Sequence, residues 1–182
     1  LAKLWFEQIA FPSTCYRWQA DLIHVPYWAS PLYLPAPAVV TIHDLIPLLL
    51  PAYQGGRLGR WYTRLVSTSA RRATIVVTDS NASAQDIVQH LGLAPERVRA
   101  IPLAAAERFR PIADLARLSK VRQKYHLPPR YLLYLGGFDV RKNVPAILHA
   151  FARLEHPETK LVLAGRLPDV DSPFFPDPRR IV

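Results

Sequence analysis

The sequence predicts an α/β fold built on parallel sheets. Short β-branched or aliphatic runs alternate with longer amphipathic segments, the pattern of successive βαβ units. The runs are apolar nearly throughout, as expected of strands with helices on both faces. Half of the residues are hydrophobic, so a chain of 182 can bury a real core.

In chain order, the strand candidates are residues 22–25, 39–42, 74–78, 98–101, 131–135 and 160–164. The spacing predicts a helix over 58–71, with Leu58, Trp61, Tyr62, Leu65, Val66 and Ser69 on one side. A second helix, 80–91, opens at a Ser80 or Asn81 cap, turns Ile87, Val88 and Leu91 inward and closes at Gly92. The third, 114–125, is polar and basic, with Leu115, Leu118, Val121 and Tyr125 apolar, and reads as a connector. The fourth, 143–154, carries Ile147, Leu148, Phe151 and Leu154 on one stripe. Pro102, Pro111, Pro128 and Pro129 fence off the connector and place a domain boundary near residue 112. The aromatic-rich start, with Trp5, Phe6, Phe11, Tyr16, Trp18, Tyr27 and Trp28, could line a cleft; the expectation is core. The chain has no Met and stops just after a Pro-rich stretch, so both ends read as cut.

The net charge of +9 is spread evenly: 11 basic and 7 acidic residues over 1–112, then 12 and 7 over 113–182. That distribution argues against a nucleic-acid binder, which would gather its Lys and Arg on one stripe or tail. A phosphorylated ligand, or an anionic membrane face touched peripherally, fits better. Cys15 is the single cysteine, so an intrachain disulfide is excluded and a reducing compartment is expected. The six His and the acidic residues show no metal-ligand spacing, and no metal is expected. The longest apolar run, 45–52, is broken by prolines and falls far short of the roughly 20 residues of a spanning helix. Neither a Gly-x-Ser-x-Gly elbow nor a base beside Cys15 in sequence favours covalent hydrolase chemistry.

Three segments carry candidate chemistry, because ligands of open parallel sheets sit at the carboxyl ends of the strands. After the second strand come His43 and Asp44. Imidazole and carboxylate could orient an acceptor hydroxyl or share its proton; equally, Asp44 could cap the next turn and His43 satisfy a backbone carbonyl. After the fifth strand come Gly136 and Gly137, then the basic pair Arg141-Lys142 and Asn143 before a helix. Glycines admit close backbone approach, a helix N-terminus offers free N–H groups, and Lys142 adds a full charge, a combination suited to a diphosphate. The spacing is neither a Walker loop nor Gly-x-Gly-x-x-Gly, and an ordinary turn with a solvated basic pair and an Asn143 cap is the alternative. Gly165 ends the sixth strand, where a base or ribose could pack or where the strand could merely stop. His24 reads as structural.

Taken in order, these segments resemble the retaining glycosyltransferases of family 4, which have the GT-B fold. The resemblance runs through 20–24, 41–45, 73–80, Ile101-Pro102-Leu103 with 108–111, Leu135-Gly136-Gly137 with Arg141-Lys142-Asn143, and 161–165. It implies two Rossmann-like parallel-sheet domains, both incomplete here: residues 1–112 as the later part of an acceptor-side domain, and 113–182 as the connector helix and first β-α-β unit of a donor-binding domain. It also implies transfer of a sugar from a nucleotide diphosphate sugar to a saccharide or lipid-linked acceptor, in polysaccharide or glycolipid assembly, with retained configuration and without an obligatory metal or other cofactor. Lys142 matches the family lysine that neutralises the leaving diphosphate, with Arg141 beside it. His43 matches the family's acceptor-side histidine, and Gly165 a glycine near the nucleotide. Many members have an arginine where this chain has Gly137, and the family's N-terminal glycine-rich loop and C-terminal paired glutamates are not in this sequence. The expected enzyme is cytoplasmic, peripheral at the inner membrane face, and inactive as this piece alone. The rival readings are a nucleotide-sugar epimerase of the same fold and a non-catalytic nucleotide-diphosphate-binding module.

Overall fold

A computed structural model describes residues 1–181, with Val182, the last residue of the expected second domain, outside the described part. The chain divides into two compact units, Leu1–Ala106 and Glu107–Val182. The expected boundary at residue 112 lies a few residues beyond that division, in the fully exposed stretch 101–114 that has no regular backbone structure.

Unit 1 opens with a helical stretch that the sequence reading did not anticipate: α1 (Ala2–Trp5), a π-helical segment (Phe6–Ala10) and α2 (Phe11–Arg17) follow without a break. Four parallel strands come after it, β1 (Ile23–Val25), β2 (Ala38–Thr41), β3 (Ile75–Thr78) and β4 (Val98–Ala100), paired in chain order β1-β2-β3-β4. Between β2 and β3 lie the short α3 (Ile46–Leu49) and α4 (Arg57–Ala70), and α5 (Asn81–Leu91) joins β3 to β4. Alternation sets the core. Ile23 and Val25 of β1, Ala38 and Val40 of β2 and Val76 of β3 are buried together with Ile42, Leu45, Ala70, Ile87, Leu91 and Val98. His24 between Ile23 and Val25 is exposed, so β1 is covered on one face only, and the expectation of strands covered on both faces does not hold there.

Helix α5 forms as its sequence prescribes. Ser80 Oγ accepts the Ser83 N–H at 3.1 Å, and Gly92 closes the helix in the left-handed region at φ 64°. Helix α4 keeps part of its expected face, with Val66 and Ser69 buried and Tyr62 and Leu65 half-buried. Leu58 and Trp61 are exposed, and the buried face is Thr63, Val66, Ser67, Ser69 and Ala70. Small residues let this helix lie close to its neighbours, and the buried hydroxyls stay satisfied because Ser67 and Ser69 donate to the Thr63 and Leu65 carbonyls one turn back, at 2.6 and 2.7 Å.

Most of the N-terminal aromatics are not core either. Trp5, Phe6, Tyr16, Trp18 and Tyr27 are exposed, while Phe11 and Trp28 pack partly against the core. For Trp5, Phe6 and Tyr16 the cause is helical: one face of the stretch is used by Glu7 and Pro12, which are buried, and by Gln8, whose amide bonds Ser30 and Leu32, leaving these aromatics exposed.

Unit 2 holds α6 (Leu115–Lys124), β5 (Tyr131–Leu135), α7 (Val144–Ala152) and β6 (Lys160–Ala164). β5 and β6 pair in parallel, Tyr131 beside Lys160 through Leu135 beside Ala164. A small core of Phe138, Val144 and Leu148 packs with Tyr134, Leu161, Leu163, Leu167 and Ile181. Asp114 caps α6 through the Arg117 N–H at 3.0 Å. None of the residues of α6 is buried, its apolar positions included. On β5, Leu132, Leu133 and Leu135 are exposed, a second departure from strands covered on both faces.

Candidate functional site

In unit 1, backbone register brings the first site together. β2 and β3 pair with Val39 beside Ile75, Val40 beside Val76 and Thr41 beside Val77. The next rung is kept by the Ile42 N–H donating to the Val77 carbonyl at 2.8 Å. Carried one residue further, the same offset of 36 sets His43 beside Asp79, and His43 Nδ1 lies 2.8 Å from Asp79 Oδ2. Thr78 Oγ1 donates to the His43 carbonyl at 3.4 Å, tying the two strand ends at the backbone as well. The His43 side chain is 55% exposed and that of Asp79 26%, so the pair is open to a ligand.

Asp44 takes a different part. Its Oδ1 accepts the Ile46 N–H at 3.0 Å and opens α3, the capping role that the sequence left open. His43, in contrast, bonds a carboxylate and not a backbone carbonyl. Both residues border a cavity of about 330 Å³ whose walls include Trp28, Pro47, Tyr62 and Thr63.

Behind that cavity sits a carboxylate that sequence reasoning did not single out. Glu7, from the π-helical segment, is 2% exposed. Its two oxygens accept the Tyr62 hydroxyl at 3.1 and 2.8 Å, and Lys3 Nζ lies 3.7 Å away. Burial, then the hydrogen bond to Glu7, pushes the Tyr62 phenol well above the usual tyrosine range. Burial and the Glu7 charge push Tyr27 upward too. His24 has a structural partner, with Nε2 3.1 Å from Thr41 Oγ1.

In unit 2, the carboxyl ends of β5 and β6 border a cavity of about 490 Å³. Of the residues read from sequence, Gly137 lines it; further walls are Phe138, Asp139, Arg166, Leu167 and Phe175. The turn after β5 is built tightly. The Gly136 N–H donates to the Ala164 carbonyl at 3.1 Å, the Tyr134 hydroxyl donates to the Gly137 carbonyl at 2.5 Å, and the Val140 N–H donates to the Phe174 carbonyl at 2.8 Å. Arg141 and Lys142 follow in a short 3-10 turn before α7, with Arg141 Nε 3.6 Å from Asp139 Oδ1 and Lys142 exposed. Asn143, in the left-handed region at φ 48°, precedes α7 without a side-chain capping bond.

Gly165 has a role that its sequence position only hinted at. At φ 154° a side chain there would overlap the Gly136 carbonyl oxygen, so the two glycines form one close backbone crossing that holds the ends of β5 and β6 together.

The rule that selected His43, the first polar residues past a strand, also selects Asp79 after β3 and Arg166 after β6. Both were legible in principle. What sequence does not supply is the pairing offset that joins His43 to Asp79. Among the described residues no three His, Cys, Asp or Glu side chains gather as a metal cluster.

Parallel α/β sheets with polar and basic groups past the carboxyl ends of their strands are the architecture in which ligands sit at those ends. Glycosyltransferase Family 4 matches residues 2–105, more than half of the chain, and the chain belongs to that family. It is 32% identical over 123 residues to the serotype-specific mannosyltransferase WbdA of Escherichia coli, a match covering 66% of this chain and 15% of the relative. It is also 28% identical over 149 residues to the O-antigen chain mannosyltransferase B of Escherichia coli, covering 76% of this chain and 38% of the relative. The chain thus spans a minor part of these relatives. Among solved structures, HepE of Anabaena, crystallised in complex with UDP, has the same GT-B fold, with a TM-score of 0.61 at 18% identity, covering 85% of this chain and 42% of that one.

Proposed function

We propose that this chain is part of an enzyme that transfers a hexosyl residue from a nucleotide diphosphate sugar to a saccharide or lipid-linked acceptor, with retention of configuration. The names of the relatives favour mannose as the sugar and surface-polysaccharide assembly as the setting. The observation that carries the reading is the basic pair Arg141-Lys142, set between the glycine turn of β5 and the N-terminus of α7.

A departing nucleoside diphosphate gains negative charge as the glycosidic bond breaks. Fixed cations and helix N–H groups aimed at that charge lower the barrier. Lys142, Arg141 and the backbone at Gly136 and Gly137 take this task in the reading, with no metal required. Gly165 keeps the strand ends close enough for the base and ribose to pack there. Within unit 1, His43, with Asp44 next to it, is the candidate partner for saccharide hydroxyls. A peripheral contact with an anionic membrane at the cytoplasmic face belongs to the same proposal; no helix among the described residues is long and apolar enough to cross a membrane.

Calorimetric titration of GDP and UDP in low salt and without metal tests it. One of the two is expected to bind, and Lys142→Ala to weaken binding at least about tenfold, or ~1.4 kcal/mol. Unchanged affinity in the variant would overturn the assignment of the diphosphate to this turn.

A further inference from the structure

We propose that Asp79 is the positioning residue of His43: it holds the neutral imidazole as the Nδ1–H tautomer, so that Nε2 keeps its lone pair for a hydroxyl of the bound sugar. The inference deepens the transfer reading above and rests on it. Nothing in the family match or the relatives' names assigns a role to Asp79.

The geometry has three parts. Nδ1 is committed, because 2.8 Å from Asp79 Oδ2 is the distance of a charge-assisted hydrogen bond, and an ionised carboxylate can only accept. The contact is also not a chance of two flexible side chains. It continues the β2–β3 register, is flanked by the Ile42-to-Val77 and Thr78-to-His43 bonds, and Asp79 is fixed on its other side by Ser80, the cap of α5. Finally, a neutral imidazole that donates from Nδ1 has its acceptor at Nε2, and His43 borders the Trp28 and Tyr62 cavity. A ring free to rotate or to exchange tautomers would spend part of its time with a donor where an acceptor is required. Tying the ring removes that loss, as a second carboxylate does for metal-binding and catalytic histidines generally.

Long-range proton–nitrogen spectra of the nitrogen-labelled protein test this without turnover, recorded near pH 8, above the ordinary histidine value of about 6.5. His43 resonances are those lost in His43→Gln. The expected result is a His43 ring protonated at Nδ1 only, changing to a tautomer mixture in Asp79→Ala and restored in Asp79→Glu. In sugar-transfer assays of the whole enzyme that contains this chain, kcat of Asp79→Ala is expected to fall about 10- to 100-fold. The donor KM is expected to stay within about twofold, and the loss to vanish on a His43→Gln background. An unaltered tautomer in Asp79→Ala, protonation at Nε2 in the parent, or an unchanged kcat would each overturn the proposal. The expected spectra together with no sugar transfer by the whole enzyme that contains this chain would support the hold of Asp79 on the ring and overturn the transfer reading instead. Should Asp79→Ala fail to fold, Asp79→Leu, of similar shape and without a hydrogen-bonding group, serves the same comparison.

Discussion

The Glu7 carboxylate is nearly fully buried, and the Tyr62 hydroxyl meets both of its oxygens. Removing that hydroxyl takes a close hydrogen-bond donor from the buried Glu7 carboxylate and leaves it the Lys3 ion pair, so Tyr62→Phe is expected to destabilise the protein by about 1–3 kcal/mol at neutral pH, read from thermal or denaturant unfolding. The pH dependence follows from the direction of the shift. The folded phenol titrates above its unfolded value of about 10, so its stabilising contribution is complete below about pH 10 and is lost as pH rises past it. Melts of wild type and Tyr62→Phe from about pH 8 to 11 are therefore expected to draw together as pH rises past about 10. A gap that stays constant would show that the Tyr62–Glu7 bond does not set this stability. The partnership was invisible in sequence because 55 residues separate Glu7 from Tyr62 and no local pattern links them.

At the scale of elements, local chemistry was a reliable guide where it acted alone. The Ser80 cap, the Gly92 stop and the Asp114 cap all stand where their residues ask for them, and each of the six strands lies within a residue of its expected bounds. Gly92 gives a clean test, since a Cβ there would meet nothing within 4 Å and the cost of Gly92→Ala is that of the left-handed backbone alone. A loss of about 1 kcal/mol is expected in equilibrium unfolding, and a neutral outcome would mean the C-terminal turn of α5 rearranges. Gly165 differs, because there the obstacle is the Gly136 carbonyl and not only the backbone angle. Local reading held for the face of α5, where Ile87 and Leu91 are buried and Val88 packs against the core, and failed at the ends of others. α4 buries Val66 and Ser69 of its expected face and half-buries Tyr62 and Leu65, while Leu58 and Trp61 at its start stand exposed, and composition at the start of the chain hides a helical period.

For the whole molecule, the division between Ala106 and Glu107 falls within residues 101–114, every one exposed and none in a helix or strand. Backbone without regular hydrogen bonds opens easily and is where proteases cut first. Limited trypsin digestion is expected to cleave first after Arg108, since Arg110 precedes Pro111, and to leave a larger N-terminal piece. A first cut inside α4, after Arg60 or Arg64, would contradict the two-unit division. The fold class and the order of strands were legible because apolar runs and their spacing are written along the chain. The candidate diphosphate turn was legible for the same reason, since Gly136 to Asn143 are neighbours in sequence.

By itself the sequence determined the α/β class, the six strands, the helix caps and the choice of His43 and the Gly136 to Lys142 turn, all properties of residues within a few positions of one another. Only the tertiary structure decided that Asp79 faces His43, that Glu7 lies under Tyr62, that Gly165 crosses Gly136 and that Asp44 caps α3 in the walls of a cavity. The reason is physical. Hydrophobic period and backbone preference are encoded by near neighbours, but which groups meet across a sheet depends on a register and a helix rotation fixed by packing over the whole core, and a shift of one residue would exchange every partner.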